Sequence, residues 1–347
     1  MAAISIKNST SPLISIFQFL KLTEFVALYF YIKNYAFSRF SFSKVLLVIF
    51  AGGVFQALIA IGQFLKQSDL GFRIFGESVL GPTLSGVASF FNSTGDKIIR
   101  AYGTTPHPNI LAAYLFIAIF AFYFLFLYKK NSAGNWFLFA GYCIMLFGLF
   151  FTFSRTVIFL WAVGFAVGAL LIWLKNDFRT RFWKNQIMRR RLVLILFVTI
   201  FAMATFAIIY WPDVISRFRL SADDEAVRLR IFYGTESLKS GLNLFGFGVG
   251  NFVNWFMKID PNLPRYVYQP VHNIYLLAYS ETGILGLAAF LLFLIFLIRA
   301  FMRQTQMENL YHFSCLLIFI SFLIMGFFDH FLWTLQQGRL MFWLVLA

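Results

Sequence analysis

Nine apolar runs follow one another along this chain, most of them the length of a bilayer-crossing helix, and they leave few folds open to it. A crossing helix needs roughly 20 mainly apolar residues. By that measure spans are expected at 12–32, 43–65, 108–128, 134–153, 156–174, 191–211, 283–300 and 310–331, with a short last one at 338–347. Composition agrees: 12% of the 347 residues are charged and 60% are hydrophobic, whereas a soluble domain carries about 25% charged residues. Forty-nine phenylalanines suit packing against lipid tails. The expected fold is all-α, a polytopic transmembrane helical bundle forming a single membrane domain over 1–347, in contact with the lipid bilayer along most of its length.

Charge sets the orientation. A net charge of +15 could suggest nucleic acid, but the basic residues sit mainly in short connections between apolar runs. That is the positive-inside pattern, and nucleic acid is not an expected partner. Lys33, Arg39 and Lys44, then Lys129 and Lys130, then KNDFRTRFWKNQIMRRR (175–191), then Arg299 and Arg303 mark four cytoplasmic connections that alternate correctly with the rest. The same parity puts 66–107, the turn at Ser154–Arg155, a long loop at 212–282 and the segment around Asp329 outside the cytoplasm. It also puts the N-terminus outside, although MAAISIKNSTSPLI lacks the features of a signal peptide. The last run, LMFWLVLA, covers barely half a bilayer, so the chain reads as a fragment or a short relative of something longer. Cys143 and Cys315 lie inside apolar runs, and neither a disulfide nor a cysteine-ligated metal is expected.

Polar groups held against a bilayer are costly and mark function by default. Five stretches qualify. In RAYGTTPHPNILAAYL (100–115), Gly103, Pro106 and Pro108 break the backbone before an apolar helix; Asn109 can cap its first turn and His107 stands at the interface. A structural turn explains His107 as well as a site does. In FFTFSRTVIFLWAVG (150–164), Ser154–Arg155 falls at the outer end of two spans with no proper loop. Arg155 could snorkel, or it could face an anion, and its place against the positive-inside trend favours the anion. Arg228 and Arg230 lie in a helical stretch opened by Ser221 and Asp223-Asp224-Glu225. A helix-surface ion pair between Asp224 and Arg228 competes equally with a functional reading. In NLFGFGVGNF (243–252), Gly246, Gly248 and Gly250 permit tight turns and could bring backbone N–H groups to an anion. No βαβ context or phosphate-loop lysine accompanies them, so nucleotide binding is unsupported. In QPVHNIYLLAYSETGILG (269–286), Pro270 is expected to start a helix with His272 and Asn273 in its first turn. Tyr275, Leu276 and Tyr279 continue at helical spacing, and Gly283 and Gly286 lead into the next span. A neutral histidine at a helix start can accept a proton.

In this order, GTTPHPNILAAYL, TFSRTVIFL, VRLRIF, GFGVGNF and HNIYLLAYSETGILG resemble the O-antigen ligase and polymerase superfamily of polytopic membrane glycosyltransferases. The likeness covers most of the chain from about Tyr102 onward. It implies an enzyme of the bacterial inner membrane, working on the periplasmic side, that moves a glycan from an undecaprenyl-diphosphate carrier to an acceptor. Lipid A core, a growing glycan chain or a protein could each be that acceptor. It further implies that Arg155 and Arg228 bind the carrier's diphosphate and that His272 is the essential histidine of the loop. The aromatic residue that the family often carries four positions after the loop arginine, commonly tryptophan, is Phe232 here.

The chemistry fits those roles. Transfer from a lipid diphosphate needs counter-charge for the leaving group and a path for the acceptor's proton. No DxD-type carboxylate pair stands in a suitable external place, so no metal or other cofactor is expected, and arginine becomes the expected counter-charge because its fork matches phosphate oxygens. Arg155, Arg228 and His272 are therefore the expected catalytic residues. Arg230, Gly246, Gly248, Gly250, Asn273, His107, Asn109 and Tyr275 are expected around the substrate. A transporter or flippase of lipid-linked glycan is the competing reading, and its main support is Lys21 and Glu24 in the first span, which can simply neutralise each other. A non-catalytic remnant is a third reading.

Overall fold

A computed structural model describes residues 1–128, 134–174, 180, 184–218, 225–239, 243–304 and 310–347. Almost all of its regular structure is helical, and the strands among the described residues form one short hairpin. Among the described residues, six helices are long and apolar enough to cross a membrane: Pro12–Ala36, Phe42–Lys66, Pro108–Leu127, Gly134–Phe151, Gln186–Ile209 and Ile274–Arg303. The chain is a multi-pass membrane protein. Helix also stands at the other three expected positions, but Arg155–Leu170 and Ser314–Phe328 are shorter apolar segments and Gln336–Leu346 has 11 residues. The chain divides into two compact units, Met1–Ser38 with Ser221–Ala347, and Arg39–Leu220.

In the unit Arg39–Leu220, Phe42–Lys66, Pro108–Tyr128 and Gly134–Phe151 pack tightly because small residues face one another. Gly53 opposes Ala118, and a Cβ at Gly148 would stand 2.8 Å from the Cα of Ala57. Lipid tails are as apolar as the side chains, so such close backbone approach is what holds membrane helices together. A hydrogen bond between the Tyr142 and Thr199 hydroxyls (2.5 Å) ties in Gln186–Ile209. The connection after Lys66 is pinned by Gln63, which is fully buried. Its Nε2 donates to Glu77 Oε1 and to the Gly103 carbonyl, both at 2.8 Å. Its Oε1 accepts from the N–H groups of Tyr102 and Gly103 at 3.0 and 2.8 Å. The hairpin, Ser89–Phe91 against Lys97–Ile99, is antiparallel, and the Ser93 N–H donates to the Pro212 carbonyl at 3.1 Å.

The other unit joins the helix Pro12–Tyr31 to the chain's last third. Lys21 and Glu24 pair at 2.8 Å on its surface, as expected of mutually neutralising neighbours. The stretch 212–282 is partly helical, with Glu225–Leu238 and Phe252–Ile259 enclosing an apolar cluster of Tyr233, Phe252, Phe256, Val267, Val271 and Leu277. The helix expected to begin at Pro270 begins at Ile274. The Asn273 side chain is the reason: its Oδ1 accepts from the N–H groups of Tyr275 and Leu276 at 2.9 and 3.0 Å, which caps the helix there. The helix then runs through the expected span to Gln304, with its one break at Gly283.

Candidate active site

The glycine-rich turn is built from contacts within the chain. The N–H groups of Phe245 and Gly246 go to Asn243 Oδ1, both at 3.0 Å. Those of Phe247 and Gly248 go to the carbonyls of Ser280 and Glu281, also at 3.0 Å. Val249 donates to Ser5 Oγ at 3.2 Å, and Gly250 and Phe252 donate to the Glu281 carboxylate. These N–H groups are spent on the protein, so the turn offers shape rather than donors to an anion. Its glycines are required for close approach: a Cβ at Gly246 (φ 71°) would lie 2.3 Å from the Glu281 carbonyl carbon, and one at Gly283 (φ 74°) would lie 2.3 Å from that of Leu244. Ser15 and Asn251, bonded at 2.7 Å, hold the first helix to the same turn.

His272 sits just before the capped helix start. Tyr233 stacks on its face, with ring centroids 5.9 Å apart and planes at 14°. His330 meets it edge-on, centroids 5.0 Å apart at 85°. His272 Nδ1 is buried without a hydrogen-bond partner among the described residues. Burial, then repulsion from His330 and Arg230, pushes the imidazole down to about 4, against the upward pull of Asp329 and a weak pull from the Pro270 carbonyl. It is therefore neutral across the physiological range.

Two ties bring His330 into place. The Ile274 N–H donates to the Gly326 carbonyl at 2.8 Å. Trp333 Nε1 donates to Glu281 Oε2 at 2.9 Å, while Trp333's own N–H bonds the His330 carbonyl at 2.8 Å. Asp329 Oδ1 accepts the N–H of His330 at 2.7 Å, and His330 Nδ1 lies 2.6 Å from Thr334 Oγ1. Burial lowers the affinity of His330 for a proton, and Asp329 opposes this.

Arg228 and Arg230 are both exposed on Glu225–Leu238. Leu229, Phe232 and Tyr233 turn inward to the apolar cluster, so Phe232 fills the aromatic place by packing. Arg230 is near enough to His272 to act on its charge. The expected capping box at Ser221 and the acids Asp223 and Asp224 lie outside the described residues. Asn273 is committed to its cap, and the Tyr275 hydroxyl donates to the Leu323 carbonyl at 2.9 Å.

The unit Arg39–Leu220 holds a second polar cluster. The cap of Pro108–Tyr128 is His107, not Asn109 as expected: His107 Nδ1 accepts the Asn109 N–H at 3.2 Å. Asn109 Oδ1 instead accepts from Arg100 Nη2 at 2.6 Å and from Ser154 Oγ at 3.1 Å. Buried Arg100 also donates from Nε to the Thr152 carbonyl at 2.7 Å. Arg155, partly exposed, opens the helix Arg155–Leu174 directly after this network. An arginine beside two helix N-termini favours an anion.

Sequence reading passed over His330, Glu281, Tyr233 and Arg100. Asp329–His330 carried a usable signal, because a polar pair at the outer end of an apolar run is the same cue that singled out Ser154–Arg155. Residues 140–291 match the family model described as O-Antigen ligase. That stretch contains Arg155, Arg228, Arg230, the glycine turn and His272. No curated protein and no solved structure matches the chain.

Proposed function

We propose, from the match of residues 140–291 to the family model described as O-Antigen ligase, that this chain is a membrane glycosyltransferase that transfers a glycan from undecaprenyl diphosphate to an acceptor hydroxyl without a metal. The observation that carries the reading is a neutral imidazole, His272, set ring to ring with His330 at 5.0 Å and near an exposed arginine of the loop helix. Arg228 and Arg230 supply counter-charge to the departing diphosphate, a role suited to guanidinium because it keeps its proton and forks onto phosphate oxygens. In the unit Arg39–Leu220, Arg155 beside the network of Arg100, Asn109 and Ser154 is an anion contact of that unit's own polar cluster. His107 supports that network by capping its helix. Preorganised charge of this kind is usually the largest contribution to catalysis. His272 binds the acceptor hydroxyl, as base or as orienting group, from the external face of the bacterial inner membrane.

The test is transfer by the reconstituted chain from a lipid-diphosphate glycan to a panel of acceptors: lipid A core, free oligosaccharide and a hydroxyl-bearing peptide. Arg228→Ala and His272→Ala are expected to lose transfer while accumulating normally, and chelator is expected to leave the wild type unchanged. Wild-type-level transfer by both variants overturns the assignment. Movement of the carrier across vesicles without sugar transfer would instead favour a flippase.

A further inference from the structure

We propose that His330 is a second catalytic imidazole of this site, and that its Nε2 takes the proton of the acceptor hydroxyl while His272 holds that hydroxyl in place. The inference rests on the glycosyl-transfer reading and deepens it.

The two rings are neighbours, edge to face at 5.0 Å, yet they differ in what supports them. A histidine that accepts a proton becomes a donor at both nitrogens. On His272 the second of those N–H groups would be Nδ1, which is buried with no partner among the described residues. A charged donor left unsatisfied in a buried place is costly. On His330 the second nitrogen already has a partner, Thr334 Oγ1 at 2.6 Å. When the proton sits on Nδ1, Thr334 Oγ1 accepts it and turns its own hydrogen to the His330 carbonyl at 3.2 Å. Nε2 is then left with a lone pair. Asp329, next in sequence, favours the charged form of His330, and its carboxylate is fixed by the backbone N–H of His330 itself. An imidazole whose far nitrogen is held by an oxygen, with a carboxylate close by, is the arrangement a base requires. His272 has no such oxygen at its Nδ1 among the described residues and is stacked on Tyr233, which suits a group that positions.

In the step itself the acceptor O–H proton moves to His330 Nε2, and the acceptor oxygen bonds the anomeric carbon. The bond from that carbon to the carrier's diphosphate breaks, its electron pair leaving with the diphosphate. The groups facing the pair are Tyr233 and Arg230 from the loop helix and Asp329 from the segment that carries His330.

The experiment compares wild type, His272→Asn, His330→Asn and Thr334→Val, each full length in nanodiscs, for transfer from a lipid-diphosphate glycan and for binding of undecaprenyl diphosphate. Loss of a true base is expected to cost about 100-fold or more in kcat for His330→Asn. Thr334→Val is expected to lose about tenfold, the worth of one hydrogen bond to a charged group. Carrier binding should be unchanged in both. With the base gone, the residual activity of His330→Asn should lose the acid-side fall that protonation of His330 gives the wild type, whereas a purely structural role would leave that fall in place. Transfer by His330→Asn within threefold of wild type, with His272→Asn inactive, overturns this inference and leaves the parent reading intact. Absence of transfer by the wild type with every acceptor overturns both. If His330→Asn fails to accumulate, Thr334→Val decides, and an unchanged kcat there overturns the proposal.

Discussion

Trp333→Phe is expected to slow transfer although Trp333 touches no substrate. The indole N–H donates to Glu281 Oε2 at 2.9 Å, and Arg339 Nε donates to the Trp333 carbonyl. Glu281 is 2% exposed and also receives the N–H groups of Gly250 and Phe252. One buried carboxylate thus joins the glycine turn, the helix that follows His272 and the segment that carries His330. Phenylalanine keeps the edge-to-face contact with Phe290, at 5.3 Å between centroids, and removes one hydrogen bond to a charged acceptor. That costs about 1.5–3 kcal/mol. Glu281→Ala orphans three buried donors at about 1–3 kcal/mol each, a large part of a typical stability of about 5–15 kcal/mol.

Glu281→Ala is therefore expected to be unstable in detergent, while Trp333→Phe remains folded with a lowered melting temperature. The decisive assay is a double-mutant cycle on thermal stability with Glu281→Gln, Trp333→Phe and the pair together. Residues sharing one hydrogen bond should couple by more than about 0.5 kcal/mol. The same cycle read in kcat should show both single variants impaired, because each lets the His330 segment drift from His272. Additive stabilities within about 0.3 kcal/mol, or Trp333→Phe with wild-type kcat, would refute the idea that this carboxylate sets the spacing of the imidazoles.

Three further expectations follow from the geometry. His272 binds its proton only near pH 4 in the folded protein, below the 6.5 of a free imidazole, so the unfolded chain protonates first as pH falls. Stability is therefore lost as pH falls from 6.5 to about 4 through protonation of His272 in the unfolded chain, and His272→Asn should resist acid unfolding better than the wild type over that window. Gly246→Ala places a methyl against the Glu281 carbonyl at 2.3 Å, so it should fail to accumulate, whereas Ala at Gly71, where a Cβ meets nothing within 4 Å, should be tolerated with only modest backbone strain. Asn273→Ala removes a cap worth about 1 kcal/mol; melting should reveal it, and an unchanged melting temperature would show that the helix start is held by other bonds.

Six of the nine expected spans were legible because twenty successive apolar residues have few folded solutions. The hairpin Ser89–Phe91 and Lys97–Ile99 was not, since strands of three residues carry no usable alternation. The glycine turn was found but its use was open, because its partners lie far along the chain: Ser5 is 244 residues from Val249. A sequence reader sees N–H groups freed by glycine and cannot see Ser280, Glu281 and Ser5 arriving to take them. Asn109 fails as a cap for a related reason. His107 and Asn109 compete for the same helix start, and Arg100, bonding Asn109 Oδ1 at 2.6 Å, settles the competition from nine residues away.

The same reasoning explains why one histidine stood out and the other did not. His272 lies in a stretch dense with Pro, Asn, Tyr and Gly, which looks like a site before anything is known of its surroundings. His330 lies between FLIMGFF and FLWTL and looks like an interruption of a span. Its meaning comes from the chain's return, with Ile274 bonded to Gly326 and Trp333 to Glu281. A polar residue in an apolar run is expensive wherever it sits, and that cost is read most safely by asking which distant group offsets it. For Glu281 the answer is a tryptophan and two backbone amides. For His330 it is a threonine and an aspartate.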